Sequence, residues 1–255
     1  MYLDLTVEIM DSTASEDQSS IPGIHVEVAQ LLVERGADIT ASDDNGRTPL
    51  HLASKKGHVG VARFLVEHGA NVTAQTNDGS TPLHLASKLG SLEVARFLIE
   101  HGANVTAQAN DGSTPLHLAS KLGRVEVARF LVEHGADMVD GNNQGLTPLH
   151  LASSRGDLEL IRFILDLGAD PAARSKRGLT PLHLVNVSCE AAFILVEHGA
   201  DALAQGNDGS TPLHWVAPWG TVGIARLLVE RGADVSARDE EGSTPLHLAF
   251  RWKLA

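Results

Sequence analysis

Apolar residues along this chain fall into short paired stripes. Leu50, Leu52 and Ala53 mark one stripe, and Val61, Ala62, Leu65 and Val66 mark the next, each at the spacing of one helix face. Gly57 separates the two stripes and Gly69 closes the pair. A polar stretch then leads to a tight-turn signal, Asn45-Gly46 before this pair and Asp78-Gly79 after it. The same order returns down the chain. Neither stripe can hide its apolar face alone, whereas a stack of such pairs can. The pattern therefore predicts short helix pairs, each preceded by a turn, stacked side by side.

A four-residue phrase sets the register. Thr-Pro-Leu-His begins at Thr48, Thr81, Thr114, Thr147, Thr180, Thr211 and Thr244, with steps of 33, 33, 33, 33, 31 and 33 residues. Threonine is a good helix N-cap, and proline suits the first helical position, where no N–H is needed. Each occurrence should start a helix. A fixed period of this length marks a stacked repeat protein, in which each unit contacts its neighbours and no single central core exists.

The string Asp-Gly-Ser-Thr-Pro-Leu-His-Leu-Ala, followed by Gly-x-x-Glu-Val-Ala-Arg-Phe-Leu-Val-Glu-His-Gly-Ala-Asn, resembles the ankyrin repeat, over about residues 24–255. The resemblance implies an all-α repeat solenoid of helix pairs with β-turn fingers. It further implies protein binding on the concave side, made of finger tips and first helices. The expected division is an acidic, Ser-rich tail over 1–23 and a half repeat over 24–43. Full repeats follow at 44–76, 77–109, 110–142, 143–175, 176–206 and 207–239, with a half repeat at 240–255. His25 to Glu34 would be the second helix of the first half repeat. The last unit stops after its first helix, which suggests a recognition segment of a longer multidomain signalling protein as the alternative to a free-standing adaptor.

Charge and composition narrow the function classes. The net charge of −12 argues against a general nucleic-acid or anionic-membrane binder. No apolar run approaches the ~20 residues of a membrane span, and the N-terminus has no secretory pattern. A monomeric intracellular protein, cytoplasmic or nuclear, is expected, with another protein as its partner. With a single cysteine, Cys189, a disulfide within the chain is impossible. Cys189 reads as a small buried residue. The Asn-x-Thr/Ser strings at Asn71, Asn104 and Asn186 read as accidents of the repeat.

The thirteen histidines look like chemistry but follow the period. Seven belong to the phrase, and His68, His101, His134 and His198 end the second helices; only His25 and His58 are left over. A residue repeated once per module serves the module. By the resemblance, the phrase histidine hydrogen-bonds within the finger and to the next unit. No catalytic, cofactor or metal site is expected, and the chain does not read as an enzyme.

Positions that the repeat leaves free can serve a partner. Just before the inter-helix glycine these are Lys56, Leu89, Leu122, Arg155, Trp219 and Trp252, and one position earlier they include Lys55, Lys88 and Lys121. By the resemblance both rows face the groove. Aromatic and Arg side chains are favoured anchors. Finger tips form a second row, with Asn77, Asn110, Asn143 and Asn207 among them and a basic cluster at Arg174, Lys176 and Arg177. The expectation is a groove that is basic in the middle and aromatic toward the C-terminus. Trp215, which replaces the second leucine of the phrase, is expected in the core. The two irregular units, one shortened after Thr180 and one carrying Pro218, are where helix ends must be rebuilt.

Overall fold

The computed structural model describes residues 22–185 and 187–251. Of the acidic tail expected over 1–23, residues 1–21 lie outside the described residues, as do Asn186 and Trp252, while Pro22 and Gly23 belong to the first helix.

The chain opens with α1 (Pro22–Glu34). Paired helices follow: α2 (Pro49–Lys56) with α3 (Val59–Glu67), α4 (Pro82–Leu89) with α5 (Leu92–Glu100), α6 (Pro115–Leu122) with α7 (Val125–Glu133), and α8 (Pro148–Arg155) with α9 (Leu158–Asp166). Then come α10 (Pro181–Leu184) with α11 (Cys189–Glu197), and α12 (Pro212–Val216), a 3₁₀ turn (Ala217–Trp219) and α13 (Val222–Glu230). The last helix is α14 (Pro245–Arg251). Among the described residues there is no strand.

The helices form two layers. The first helices α2, α4, α6, α8, α10, α12 and α14 stack in chain order, and so do the second helices α1, α3, α5, α7, α9, α11 and α13. α1 packs on α3, which makes it the second-helix partner that its sequence pattern suggests. Where the layers meet, Leu50, Leu83, Leu116, Leu149 and Leu182 are sealed from solvent, and Leu98, Leu131, Ile164 and Leu195 lie with them. Full burial of each such side chain is worth about 1.5–3 kcal/mol.

The phrase accounts for the first helices. In α6, Thr114 is the N-cap, Pro115 takes the first position, and the ring of His117 reaches back to the cap. Gly123 ends the helix in the left-handed conformation at φ 64°. The irregular units replace these parts. α10 is cut to four residues because Val185 leaves the helix in an extended conformation. Val185 is fully buried, and Ser188 caps α11 by accepting from the Ala191 N–H at 3.1 Å. In the other unit, Pro218 cannot donate to the carbonyl four residues earlier. The α-helix accordingly stops at Val216, and a 3₁₀ turn completes the path to Gly220, which keeps the left-handed exit at φ 66°.

Each turn leans on the one after it. The Asn143 N–H donates to the Asp111 carbonyl at 2.9 Å, and the Asn110 N–H does the same to Asp78 at 2.9 Å. This close approach leaves no room at the turn glycine. Gly112 has φ 75°, and a Cβ there would stand 2.7 Å from the Asn143 backbone nitrogen. Gly102 also has positive φ, at 89°, but open space around it. Gly112→Ala is therefore expected to cost more than Gly102→Ala, which carries only the left-handed strain of about 1–2 kcal/mol. Urea unfolding of the two variants tests this. Equal losses would show that the approach of Asn143 contributes nothing.

Candidate functional site

The histidines of the phrase are structural bridges. His117 Nε2 lies 3.0 Å from the Leu146 carbonyl of the next unit. A carbonyl can only accept, so Nε2 carries the proton. Nδ1 is then the acceptor, 3.2 Å from the Thr114 N–H and 2.8 Å from its hydroxyl. The same bridge joins His51 to Ser80, His84 to Ser113, His150 to Leu179, His183 to Ser210 and His214 to Ser243. Burial holds the pKa of His51, His84, His117 and His150 below the usual imidazole value, and brings that of His183 to about 4. These rings are neutral, oriented and fully occupied.

The second set of histidines is equally engaged. His68, His101, His134 and His198 each donate Nδ1–H to the carbonyl four residues earlier, at 2.7–2.8 Å. Three of them also rest on a phenylalanine, Phe64, Phe97 or Phe130. On this outer layer Arg63, Arg96 and Arg129 lie over Phe97, Phe130 and Phe163 of the next unit, at 4.9, 4.7 and 4.4 Å. The two histidines outside the period, His25 and His58, stack on each other with centroids 5.0 Å apart.

The asparagines of the finger tips are not free for a partner. Asn77, Asn110 and Asn143 each donate a side-chain N–H to the preceding finger, to the carbonyls of Asp44, Asn77 and Asn110, at 2.9–3.0 Å. Asn207 repeats the bond to the Lys176 carbonyl at 2.8 Å. Nothing in a single finger announces this role, since the bond spans 33 residues. The recurrence of asparagine at one register position is the signal that could have shown it. Asn71 and Asn104 are likewise engaged, each accepting from the N–H and hydroxyl of the threonine two residues on.

The remaining candidates divide into two clefts. Toward the N-terminus, Lys55 and Lys88 line a cleft of about 280 Å³ with Arg47, Leu85 and Asp78. Lys121 is exposed at the same register in the next unit. Lys56 and Leu89 are exposed at the ends of α2 and α4 and do not line this cleft, and Leu122 is half-buried. Arg155 is exposed beside Gly123 of the preceding inter-helix turn.

Toward the C-terminus, Trp215, Pro218, Trp219 and Leu248 wall a cleft of about 390 Å³. Asp208, Asp239, Glu241, Ser210 and His214 complete its lining. Trp219 is 57 % exposed. Trp215 is not a core residue as its place in the phrase suggested. It is half-buried, and its indole N–H donates to Ser210 Oγ at 3.0 Å. The second leucine of the phrase faces the groove rather than the core, as Leu52, 42 % exposed, also shows. The Ser210 hydroxyl in turn donates to Asp208 Oδ1 at 2.5 Å. Burial opposes ionisation of Asp208, but the Ser210 hydrogen bonds and the charge of Arg177 outweigh it and lower the pKa.

The basic finger is partly used within the chain. Arg174 donates to the Gln205 carbonyl at 2.5 Å. Arg177 has its guanidinium 5.4 Å from the Trp215 ring centroid and 3.6 Å from Asp208 Oδ2. Lys176 is exposed. Two larger clefts, of about 580 and 430 Å³, lie among the loops after α9, α11 and α13, lined by such residues as Ala172, Leu203 and Gln205.

Cys189 is exposed at the start of α11, not buried; it holds the first helical position, where Val222 of α13 is exposed as well. Among the described residues no group of three or more His, Cys, Asp or Glu could hold a metal ion, and no helix is long and apolar enough to cross a membrane.

Comparison with known proteins bears on this arrangement. The family of ankyrin repeats (3 copies) matches residues 20–109, 105–175, 138–206, 156–239 and 183–254. No curated protein matches. Among solved structures, 616 chains match. One is the human ASB11 ankyrin repeat domain, 29 % identical, with a TM-score of 0.72 over 81 % of this chain and 93 % of that one. Ankyrin repeats are in general protein–protein interaction modules. With matches that run through nearly every unit and a stack of capped helix pairs to go with them, this chain belongs to the ankyrin repeat family.

Proposed function

We propose that the chain binds another protein through the groove formed by its fingers and first helices, and that it has no catalytic role of its own. One observation supports this reading above the others. The phrase histidines and the ladder asparagines are engaged within the array, whereas the side chains of Lys55, Lys88 and Lys121 stand exposed along the groove. The N-terminal cleft is lined by three basic side chains and one acid, and the C-terminal cleft by aromatic and acidic ones. A partner segment lying along the groove would match that polarity. A rigid surface of this kind lowers the entropy cost of association, because little must be ordered on binding.

Site-specific cross-linking tests the placement. A photo-reactive residue is introduced at Lys88 or Lys121 in the groove, and at Arg96 or Arg162 on the second helices. Adducts with partner proteins are expected from the groove positions. Adducts from the second-helix positions alone would overturn the reading.

A further inference from the structure

We infer that the C-terminal cleft is a receptor for an arginine side chain presented by the partner. This inference rests on the groove reading above and names the chemistry of one part of it.

The walls and the charge point the same way. Trp215 and Trp219 both line one cleft of about 390 Å³, and Asp208 and Asp239 line the same space. A flat cation is the group that gains from both. A guanidinium stacks on an indole face, and it can be held by a carboxylate through paired N–H bonds. A neutral apolar side chain would strip water from the carboxylates and bring no opposite charge in exchange. An anion would be repelled.

The molecule carries its own precedent. The guanidinium of Arg177 already sits over the Trp215 ring, with Asp208 Oδ2 3.6 Å away. Arg177 is not among the residues that line the cleft, and its position shows that this ring and this carboxylate suit a guanidinium. The receptor is also held in place before binding. The Trp215 indole donates to Ser210, and Ser210 donates to Asp208, so ring and acid are locked by one chain of hydrogen bonds. Asp239 is fixed as well, accepting from the Ser243 N–H at 2.7 Å. Arginine is favoured over lysine because ammonium is a more strongly hydrated point charge and cannot stack as a plane.

The test uses defined peptides and the full chain. Acetyl-Gly-Gly-Arg-Gly-Gly-amide is titrated in, and the indole N–H resonances of Trp215 and Trp219 are followed by NMR. The expected result is a saturable shift of both, with a dissociation constant on the order of 1 mM, as befits one side chain. The peptide with citrulline in place of arginine, equal in shape but uncharged, should give no saturable shift. The lysine peptide should bind at least about threefold more weakly. Asp208→Asn, which keeps the bond to Ser210 but removes the charge, should weaken the arginine peptide by at least about threefold. Asp239→Asn serves as a second, independent removal of charge should the first variant fail to fold. No shift with the arginine peptide, equal shifts with citrulline, or equal affinity for lysine would each overturn the inference. None of these outcomes depends on the cross-linking result, so a groove that binds protein without an arginine receptor would be recognised as such.

Discussion

His117→Ala should lower the stability of the array by about 3–5 kcal/mol. The variant removes one ring and strands one buried backbone group. The Thr114 N–H loses its acceptor, and the Leu146 carbonyl loses one of its two donors, keeping the Asn142 N–H. An unsatisfied buried group costs about 1–3 kcal/mol, and the volume emptied by a fully buried ring adds to this. The ring is 1 % exposed, so water cannot readily take its place. His247 offers the control. It makes the same bond to Thr244, at 3.2 Å, but is exposed. His247→Ala should cost less than about 1 kcal/mol, as exposed hydrogen bonds do. Urea unfolding followed by circular dichroism compares the two. A loss below about 1 kcal/mol at His117 would mean that the bridge is dispensable and that leucine packing alone sets the stack.

Acid should loosen the array well above the carboxylate range. Burial lowers the pKa of His51, His84, His117, His150 and His183 in the folded chain. As pH falls through the ordinary imidazole value of about 6.5, the unfolded chain takes up protons and the folded chain does not. The unfolded state then binds more protons, so stability drops as pH drops. The loss continues until the folded rings themselves titrate, which for His183 is about pH 4. Over that window His183 alone accounts for roughly 3 kcal/mol. Protonation would also put a hydrogen on Nδ1, facing the Thr180 N–H that now donates to it at 3.0 Å. The urea midpoint should therefore be clearly lower at pH 5 than at pH 7.5. Asp78 and Asp208, whose pKa values are lowered, add a second loss that begins only as pH falls through the ordinary carboxylate range, where the unfolded chain takes up protons first. An unchanged midpoint between pH 7.5 and pH 5 would contradict the neutral-bridge assignment.

What the chain alone reveals is what is local and repeated. The cap, the proline and the closing glycine act within one helix, so each phrase announces its own start and stop. The two rebuilt units were visible for the same reason, because Pro218 and the missing glycine after Thr180 break a local rule. What stayed hidden depends on the next unit. Trp215 occupies a position that looks like framework because it is apolar in every copy. Yet Leu85, at the same place, also lines a groove cleft, since the first helices turn that face toward the fingers. The finger asparagines looked like solvent-facing residues because their partners lie one period away. Cys189 looked buried because its small size fits a core, but it is the first residue of α11, a position that Val222 shows is open to solvent in α13 too. Arg177 was singled out as a basic tip, but its position over Trp215 needs two units to be seen together.

The bridge between units has one more property. The six phrase histidines from His51 to His214 each donate to a main-chain oxygen, and that oxygen belongs to serine at Ser80, Ser113, Ser210 and Ser243 but to leucine at Leu146 and Leu179. The junction is therefore blind to the side chain across it. It also survives the unit that lost two residues, where the bond spans 27 residues instead of 29 at 3.3 Å. A joint that reads only the backbone needs no matched change on the other side. Copies can thus be duplicated, deleted or exchanged within the gene without creating an ill-fitting seam, while the groove residues, which no joint constrains, diverge one copy at a time.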